Sequence, residues 1–142
     1  MPRIKIDLPE RFTFATEIPV RAHHVNWAGH VDNAQLVVLL SEARMAYFAS
    51  LGYTQENVEG VGTIVADMAI QYVSEAFEGE TLVFDMAADD FNKYGADLVC
   101  RVRDRDGGRE VARAKIGFVF FDYAARRIAP VPGRFAERAT AA

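Results

Sequence analysis

The segment "NAQLVVLLSEARMAYFASLG", which spans residues 33–52, constrains the fold of this chain more than any other. Its apolar residues recur at spacings of four and three, as on one face of a helix: Leu36, Leu40, Ala43, Tyr47 and Leu51. Other apolar side chains spread well beyond that face. A helix that is apolar nearly all round is buried on most of its sides. The sequence therefore predicts one long helix around which the rest of the chain wraps.

Both ends of this helix carry residues that favour termination. Asp32 or Asn33 can accept a hydrogen bond from the unpaired N–H groups of the first turn. Gly52 suits the left-handed backbone conformation that commonly follows the last helical residue. These signals place the helix between residues 33 and 51.

The remaining sequence is dominated by strand-like runs. "RFTFATEIPVRA" alternates β-branched or aromatic residues with others and predicts a first strand from about Phe12 to Arg21. Four further runs occupy residues 62–76, 80–91, 95–104 and 109–123, and "DRDGGRE" between the last two is a strong hairpin signal. The simplest arrangement is an α+β fold, with an antiparallel sheet of about five strands wrapped around one long central helix. We expect a single domain over residues 1–142, with a frayed tail at residues 134–142.

Charge and composition narrow the class of partner. The net charge is −4, which argues against a nucleic-acid partner, and no apolar run approaches the length that spans a membrane. The N-terminus "MPRIKIDLPERF" lacks the apolar region of a secretory signal. The one cysteine, Cys100, excludes an internal disulfide and lies in a strand-like run, so we expect its thiol in the core. These features predict a cytoplasmic protein.

The edges of the predicted sheet bear on oligomeric state. Open strand edges present unpaired backbone groups, and pairing between two copies removes those groups from solvent. Apolar residues on the outer face of the sheet favour association as well. We therefore expect a homodimer, and two such dimers can associate into a homotetramer.

All three histidines and the only tryptophan fall within "HHVNWAGHVDNAQL", residues 23–36, where the first strand meets the helix. A metal site is one interpretation of such a stretch. However, His23, His24 and His30 have no recognised ligand spacing, and no cysteine lies near them. We expect no metal here, and we expect His23 and His24 to lie at the surface or at a strand end.

The stretch "VRAHHVNWAGHVDNAQLVVLLSEARMAYFASLG" resembles the signature region of the 4-hydroxybenzoyl-CoA thioesterase-like family, V-R-x-x-D-x-D-x-x-G-H-V-x-N followed by a helix containing E-A-R. The matching positions are Val20, Arg21, Gly29, His30, Val31, Asn33, Glu42, Ala43 and Arg44. "QYVSEAFEGETLVF" resembles the family's strand pair, and "GREVARAKIGFVFFDYAARRIAPVP" resembles its final hairpin and closing strand. The resemblance covers nearly the whole chain. It implies the hotdog fold and an acyl-CoA thioesterase, an enzyme that hydrolyses an acyl thioester to free acid and thiol.

The chain departs from this pattern at the family's two aspartates, where it has His24 and Asn26. The second aspartate is the nucleophile or base in well-studied members, and an asparagine side chain cannot ionise. The sequence also resembles a subset of acyl thioesterases in which an asparagine and a histidine share the work. His30 is then the preferred general base, because histidine exchanges a proton near neutral pH. Asn26 orients the water or the thioester carbonyl.

The helix start supplies the other catalytic groups in this interpretation. Unpaired N–H groups and the dipole at a helix N-terminus stabilise a developing oxyanion. By resemblance, the backbone N–H of Asn33 faces the thioester oxygen. Glu42 is expected either to orient His30 or to act as the base itself if the sheet buries it.

Four residues are expected to bind substrate. Gly29 lets the ligand approach the backbone closely, Trp27 forms a wall, and Thr63 offers a polar contact from the next strand. By resemblance, "FNKYG" aligns with a basic segment that meets the nucleotide of coenzyme A, and Lys93 is its one positive residue. Coenzyme A enters as part of the substrate, and no other cofactor is expected.

Each candidate residue also has a purely structural alternative. His30 can hydrogen-bond to the helix start, and Trp27 can serve in packing. Glu42 can pair with Arg44 or with a partner chain, and Lys93 can be a solvated turn residue. Two other functions remain on the same fold. An acyl-thioester binding protein that has lost the catalytic aspartate accounts for Asn26, whereas an acyl-CoA hydratase is disfavoured because its D-x-N-P-x-H pattern is absent.

Overall fold

The computed structural model describes residues 3–141 as six strands and two helices. In chain order these are β1 (Phe14–Pro19), α1 (Asn33–Ser50), β2 (Gly62–Tyr72), β3 (Thr81–Asp89), β4 (Gly95–Asp104), β5 (Glu110–Asp122), β6 (Arg127–Ala129) and α2 (Gly133–Thr140). A short 3-10 turn, Ala22–His24, lies between β1 and α1. Neither helix within the described part is long and apolar enough to cross a membrane.

Helix α1 begins and ends at the signals in its sequence. The Asp32 carboxylate accepts a hydrogen bond from the Ala34 N–H at 3.0 Å, which satisfies one of the unpaired donors of the first turn. At the other end Gly52 adopts a φ of +88°, and its N–H donates to the Ala49 carbonyl at 3.0 Å. Both capping predictions are confirmed.

The sheet is antiparallel throughout, and its strands lie in the order β1-β3-β4-β5-β2, with β6 paired to β5. The hairpin predicted at "DRDGGRE" joins β4 to β5, and Gly108 within it has a φ of +74°. Strand β2 lies at one edge of the sheet and carries a bulge between Val65 and Asp67. The fold is the predicted sheet packed around a central helix, but it has six strands where about five were expected.

One face of the sheet packs on α1 to form the core. The helix contributes six buried residues: Leu36, Leu39, Leu40, Ala43, Tyr47 and Phe48. Cys100 on β4 is fully buried among them, and burial raises the pKa of its thiol, which is therefore a core residue rather than a nucleophile. The wrapping is incomplete, since Val38 and Met45 on α1 remain 53% and 52% exposed. The apolar surface of α1 is therefore wider than the part of it that the sheet of the same chain covers.

The bounds of β1, the number of strands and the C-terminal tail differ from the sequence-based expectations. Strand β1 is confined to Phe14–Pro19, shorter than the stretch from Phe12 to Arg21. Strand β6 lies where the sequence resembles the family's closing strand, and it is the sixth strand of a sheet for which about five were expected. The prediction of a frayed tail is wrong for most of residues 134–142, because residues 133–140 form α2 and Phe135 is fully buried. Ala142, the last residue of that tail, lies outside the described residues.

Candidate active site

The segment between β1 and α1 forms a closed loop that presents Asn26 and His30 at its base. The Asn26 N–H donates to the His30 carbonyl at 3.0 Å, and the Gly29 N–H donates to the Asn26 carbonyl at 2.9 Å. The Asn26 side-chain oxygen accepts from the Ala28 N–H at 3.0 Å, which tightens the turn further. Gly29 has a φ of +83°, a conformation that glycine adopts at no steric cost. Trp27 lies at the tip of the loop and is 96% exposed.

His24 anchors this loop from inside the protein. It is 6% exposed, its Nδ1 accepts from the Arg21 N–H at 2.9 Å, and its carbonyl accepts from the Asp32 N–H at 2.9 Å. Burial lowers the pKa of His24, so the ring is held in the neutral form that accepts this bond. The prediction of a surface position is therefore wrong for His24. It is confirmed for His23, which is exposed.

The loop meets a second segment, residues 73–80, that connects β2 to β3. The Val31 N–H donates to the Ala76 carbonyl at 2.8 Å, and His30 forms an isolated β-bridge with Phe77. A cavity of about 300 Å³ lies where these segments meet the start of α1. Its lining combines predicted site residues with apolar ones: Asn26, His30, Val31, Asn33, Leu36, Tyr72, Val73, Ser74, Glu75, Ala76 and Val111. Three of the four residues predicted to be catalytic are thus brought together.

His30 is held by a partner that the sequence did not indicate. Its Nδ1 lies 2.8 Å from a carboxylate oxygen of Glu75, and the two side chains are 32% and 62% exposed. The predicted alternative, a hydrogen bond from His30 to the helix start, is not formed, because Asp32 caps that start. The prediction that Glu42 orients the His30 ring is wrong as well, because Glu75 forms that contact.

The start of α1 faces the same cavity. The Asn33 backbone N–H has no hydrogen-bond partner within residues 3–141. The N-terminus of α1 therefore carries an unpaired donor on a residue that lines the cavity. The Asn33 carbonyl accepts from the hydroxyl of Tyr72 at 2.9 Å, which ties β2 to the first turn of the helix. Burial, together with the charge of Asp32, raises the pKa of Tyr72, so its hydroxyl stays protonated as a donor.

The Asn26 side chain is engaged on both sides. Its oxygen accepts from the Ala28 N–H, and its amide nitrogen donates to the Asp32 carboxylate at 3.3 Å. One amide hydrogen and one lone pair are left for a ligand in the cavity. Asn26 therefore holds the loop against the helix cap in addition to lining the cavity.

Glu42 and Trp27, both predicted site residues, do not line this cavity. Glu42 is exposed, lies in the third turn of α1 and does not line the cavity. Its predicted alternative partner, Arg44, instead donates to the side-chain oxygen of Gln55 at 2.8 Å. Trp27 neither packs on the core nor lines the cavity in this chain.

Thr63 and Lys93 lie at the opposite end of the sheet from His30. Thr63 pairs with Phe120, and the Phe120 N–H donates to the Tyr94 carbonyl, which places both predicted substrate contacts at one end. Tyr72, at the other end of β2, is nine residues away, a separation of roughly 30 Å along an extended strand. Lys93 is an exposed turn residue whose amine lies 5.2 Å from the centre of the Tyr94 ring. Within one chain, neither residue reaches the cavity.

The sequence and the fold were compared with those of known proteins. Residues 20–139 match the thioesterase-like superfamily. A putative thioesterase from Pseudomonas aeruginosa is similar in structure, with a TM-score of 0.80 and 25% sequence identity over 89% of this chain and 98% of that one. No curated protein sequence matches the chain.

Two further solved structures are alike in fold. A 1,4-dihydroxy-2-naphthoyl-CoA thioesterase from Synechocystis has a TM-score of 0.79 and 19% identity, over 88% of this chain and 93% of that one. A thioesterase from Thermus thermophilus, complexed with coenzyme A and zinc, has a TM-score of 0.77 and 20% identity, over 92% and 100%. In the chain studied here, residues 3–141 contain no group of three His, Cys, Asp or Glu side chains that could hold a metal ion.

These findings confirm the family, the hotdog fold and the enzyme class that the motif around His30 predicted, a thioester hydrolase. The family match covers most of the chain and includes the loop, the start of α1 and all residues that line the cavity. The chain belongs to the thioesterase-like superfamily.

Proposed function

We propose that this protein hydrolyses an acyl-CoA to the free acid and coenzyme A, with His30 as the general base. The observation that supports this most is that one cavity is lined by both His30 and Asn33, whose backbone N–H has no partner within residues 3–141. A base and an oxyanion donor are the two groups that thioester hydrolysis needs from the protein. Similar folds in proteins from Thermus thermophilus and Staphylococcus aureus hold coenzyme A, which supports this choice of thioester.

In the proposed reaction a water molecule lies between His30 and the thioester carbonyl carbon. Nε2 of His30 takes a proton from the water as its oxygen attacks the carbonyl carbon. The tetrahedral intermediate then collapses, the carbon–sulfur bond breaks, and the leaving thiolate takes the proton back from Nε2. The products are a carboxylic acid and a thiol, and His30 returns to its neutral form.

The Asn33 N–H is the proposed donor to the oxyanion. It lies at the N-terminus of α1, where the helix dipole also favours negative charge. Such a donor typically contributes a factor of about 10²–10³ to the rate. Because this donor is a backbone group, no side-chain substitution removes it, and its role depends on where α1 begins.

Asp32 lies beside position 26, where the family pattern has an aspartate and this chain has Asn26. The Asn26 amide donates to the Asp32 carboxylate at 3.3 Å, and an aspartate at position 26 would put two negative charges at that distance. The Asp32 carboxylate accepts hydrogen bonds from Asn26 and Ala34, and Asp32 does not line the cavity. Among the residues that line the cavity, Asn26 cannot ionise and the Glu75 carboxylate lies against Nδ1 of His30, so His30 is the proposed base.

We further propose a homodimer formed by antiparallel pairing of two β2 edges. Strand β2 has a neighbour on one side only, and its apolar side chains Ile64, Val65 and Tyr72 are 39–52% exposed, as is Val73 directly after it. Antiparallel pairing would bring the Thr63 end of one strand to the Tyr72 end of the other. Thr63 and Lys93 of one protomer would then lie beside the cavity of its partner. The predicted substrate contacts, which lie far from the cavity within one chain, would then lie next to a cavity across the dimer interface.

Replacing Val65 with glutamate is expected to convert the dimer to a monomer and to lower activity. A charge on the edge strand disfavours pairing with another edge. Light scattering after size exclusion measures the mass, and Ile128→Glu is a matched control, since Ile128 is also exposed on a short strand. A wild-type protein that elutes as a monomer with full activity would contradict the dimer and the roles of Thr63 and Lys93.

The function itself is tested by thiol release from a panel of short, long and aromatic acyl-CoAs. Hydrolysis of at least one member, measured with a thiol reagent, is the expected result. Tight binding of acyl-CoA with no release from any member would favour the alternative, an acyl-thioester binding protein. Asn26 in place of an aspartate is the feature that keeps this alternative open.

A further inference from the structure

Glu75 has no role in the mechanism above, yet its carboxylate contacts the ring of the proposed base. Its carboxylate oxygen is 2.8 Å from Nδ1 of His30. An ionised carboxylate can only accept hydrogen bonds, so the ring nitrogen that faces it must carry the hydrogen. Neutral His30 in this contact is therefore protonated at Nδ1 and unprotonated at Nε2.

We propose that Glu75 is a positioning residue that fixes the tautomer and orientation of His30, leaving Nε2 free to take a proton from water. This inference rests on the proposed function of His30. A neutral histidine in water favours the other tautomer, in which Nε2 carries the hydrogen and cannot act as a base. Glu75 would also stabilise the imidazolium that forms when Nε2 has taken its proton.

The surroundings of Glu75 suit this role. Its backbone is held on both sides, because the Ser74 N–H donates to the Val111 carbonyl at 3.1 Å, and Ala76 and Phe77 pair with the loop that holds His30. The Glu75 carbonyl accepts from Arg109 at 3.2 Å. The Arg109 guanidinium is itself paired with the Glu80 carboxylate at 2.8 Å. The Glu75 carboxylate is therefore left to His30 instead of being drawn to the neighbouring cation.

Exposure limits the energy of this contact but not its effect on the tautomer. Glu75 and His30 are 62% and 32% exposed, and exposed pairs contribute little to folding stability. The choice between two tautomers needs only a small free-energy difference, which one hydrogen bond supplies. We therefore expect Glu75→Ala to leave folding intact while lowering kcat about tenfold.

The tautomer is measured directly by nitrogen-15 NMR of the histidine rings, at a pH where they are neutral and without substrate. The His30 signals are assigned from their absence in His30→Ala. The wild-type spectrum is expected to show hydrogen at Nδ1 of His30, and Glu75→Ala is expected to shift the ring toward hydrogen at Nε2. Glu78→Ala, an exposed glutamate of the same loop, is the control and should leave the spectrum unchanged.

Kinetics provide the second readout. Glu75→Ala should lower kcat with little change in KM, because Glu75 acts on the base rather than on substrate binding, and Glu78→Ala should match the wild type. A wild-type His30 with hydrogen at Nε2, or a spectrum that Glu75→Ala leaves unchanged, would overturn the proposal. Failure of the proposed function is distinguishable, since it would appear as full activity in His30→Ala whatever the tautomer.

Discussion

Replacing His30 with alanine is expected to lower kcat/KM for the best acyl-CoA substrate by about 10²–10⁴-fold, the usual contribution of a general base. No other side chain in the cavity can take its place. Asn26 cannot ionise, and Glu75 is positioned beside Nδ1, on the opposite side of the ring from Nε2. The measurement is steady-state thiol release at several pH values.

The neighbouring His23→Ala is the matched control for this experiment. His23 is exposed and does not line the cavity, so its loss should leave turnover unchanged. Added imidazole should restore part of the activity of His30→Ala, since the truncation leaves space in a cavity of about 300 Å³ that opens to solvent. A His30→Ala variant that folds and turns over at the wild-type rate would remove His30 from the mechanism.

Replacing Phe135 with alanine is expected to lower the free energy of unfolding by about 3–5 kcal/mol, as truncation of a buried phenylalanine usually does. Phe135 is the fully buried residue of α2, and its ring lies within 5.1–6.3 Å of the ring centres of Phe48, Tyr53, Phe91, Phe118 and Phe120. The substitution would leave a cavity at the centre of this aromatic group. Urea unfolding at a fixed protein concentration measures the change.

Glu137→Ala on the same helix is the control, because Glu137 is exposed and its replacement should change stability by less than about 0.5 kcal/mol. If Phe135→Ala lost no more than the control, α2 would contribute nothing to the core. Residues 133–140 would then behave as the frayed tail that their sequence indicates.

The contrast between α1 and α2 shows which elements local sequence predicts. Helix α1 was predicted to within one residue, because Asp32, Gly52 and its long apolar pattern all act within the segment itself. Helix α2 has eight residues, a mostly polar surface and one buried phenylalanine. Isolated helices of that length are unstable in water, so this one depends on tertiary contacts of Phe135 that its own sequence does not reveal.

The residues of the candidate site also fall into two groups, those that the sequence predicted and one that only the fold brings to the site. Asn26, His30 and Asn33 fall in one loop and helix start, so a short motif was sufficient to group them. Glu75 is 45 residues from His30 in the sequence, and three glutamates occur close together in "SEAFEGE". Only the pairing of residues 30–31 with 76–77 decides that Glu75 faces His30, while Glu80 faces Arg109.

By itself, the sequence determined the central helix, the antiparallel strands, the position of the motif between them and the family. The helix and strands depend on periodicity, capping and turn chemistry, which act over a few residues, whereas the family followed from the resemblance of the motif around His30. Tertiary structure alone decided the partner of His30, the burial of His24 and Phe135, and the separation of Thr63 and Lys93 from the cavity. Each of these depends on contacts between segments distant in sequence, which form only when the sheet closes around α1.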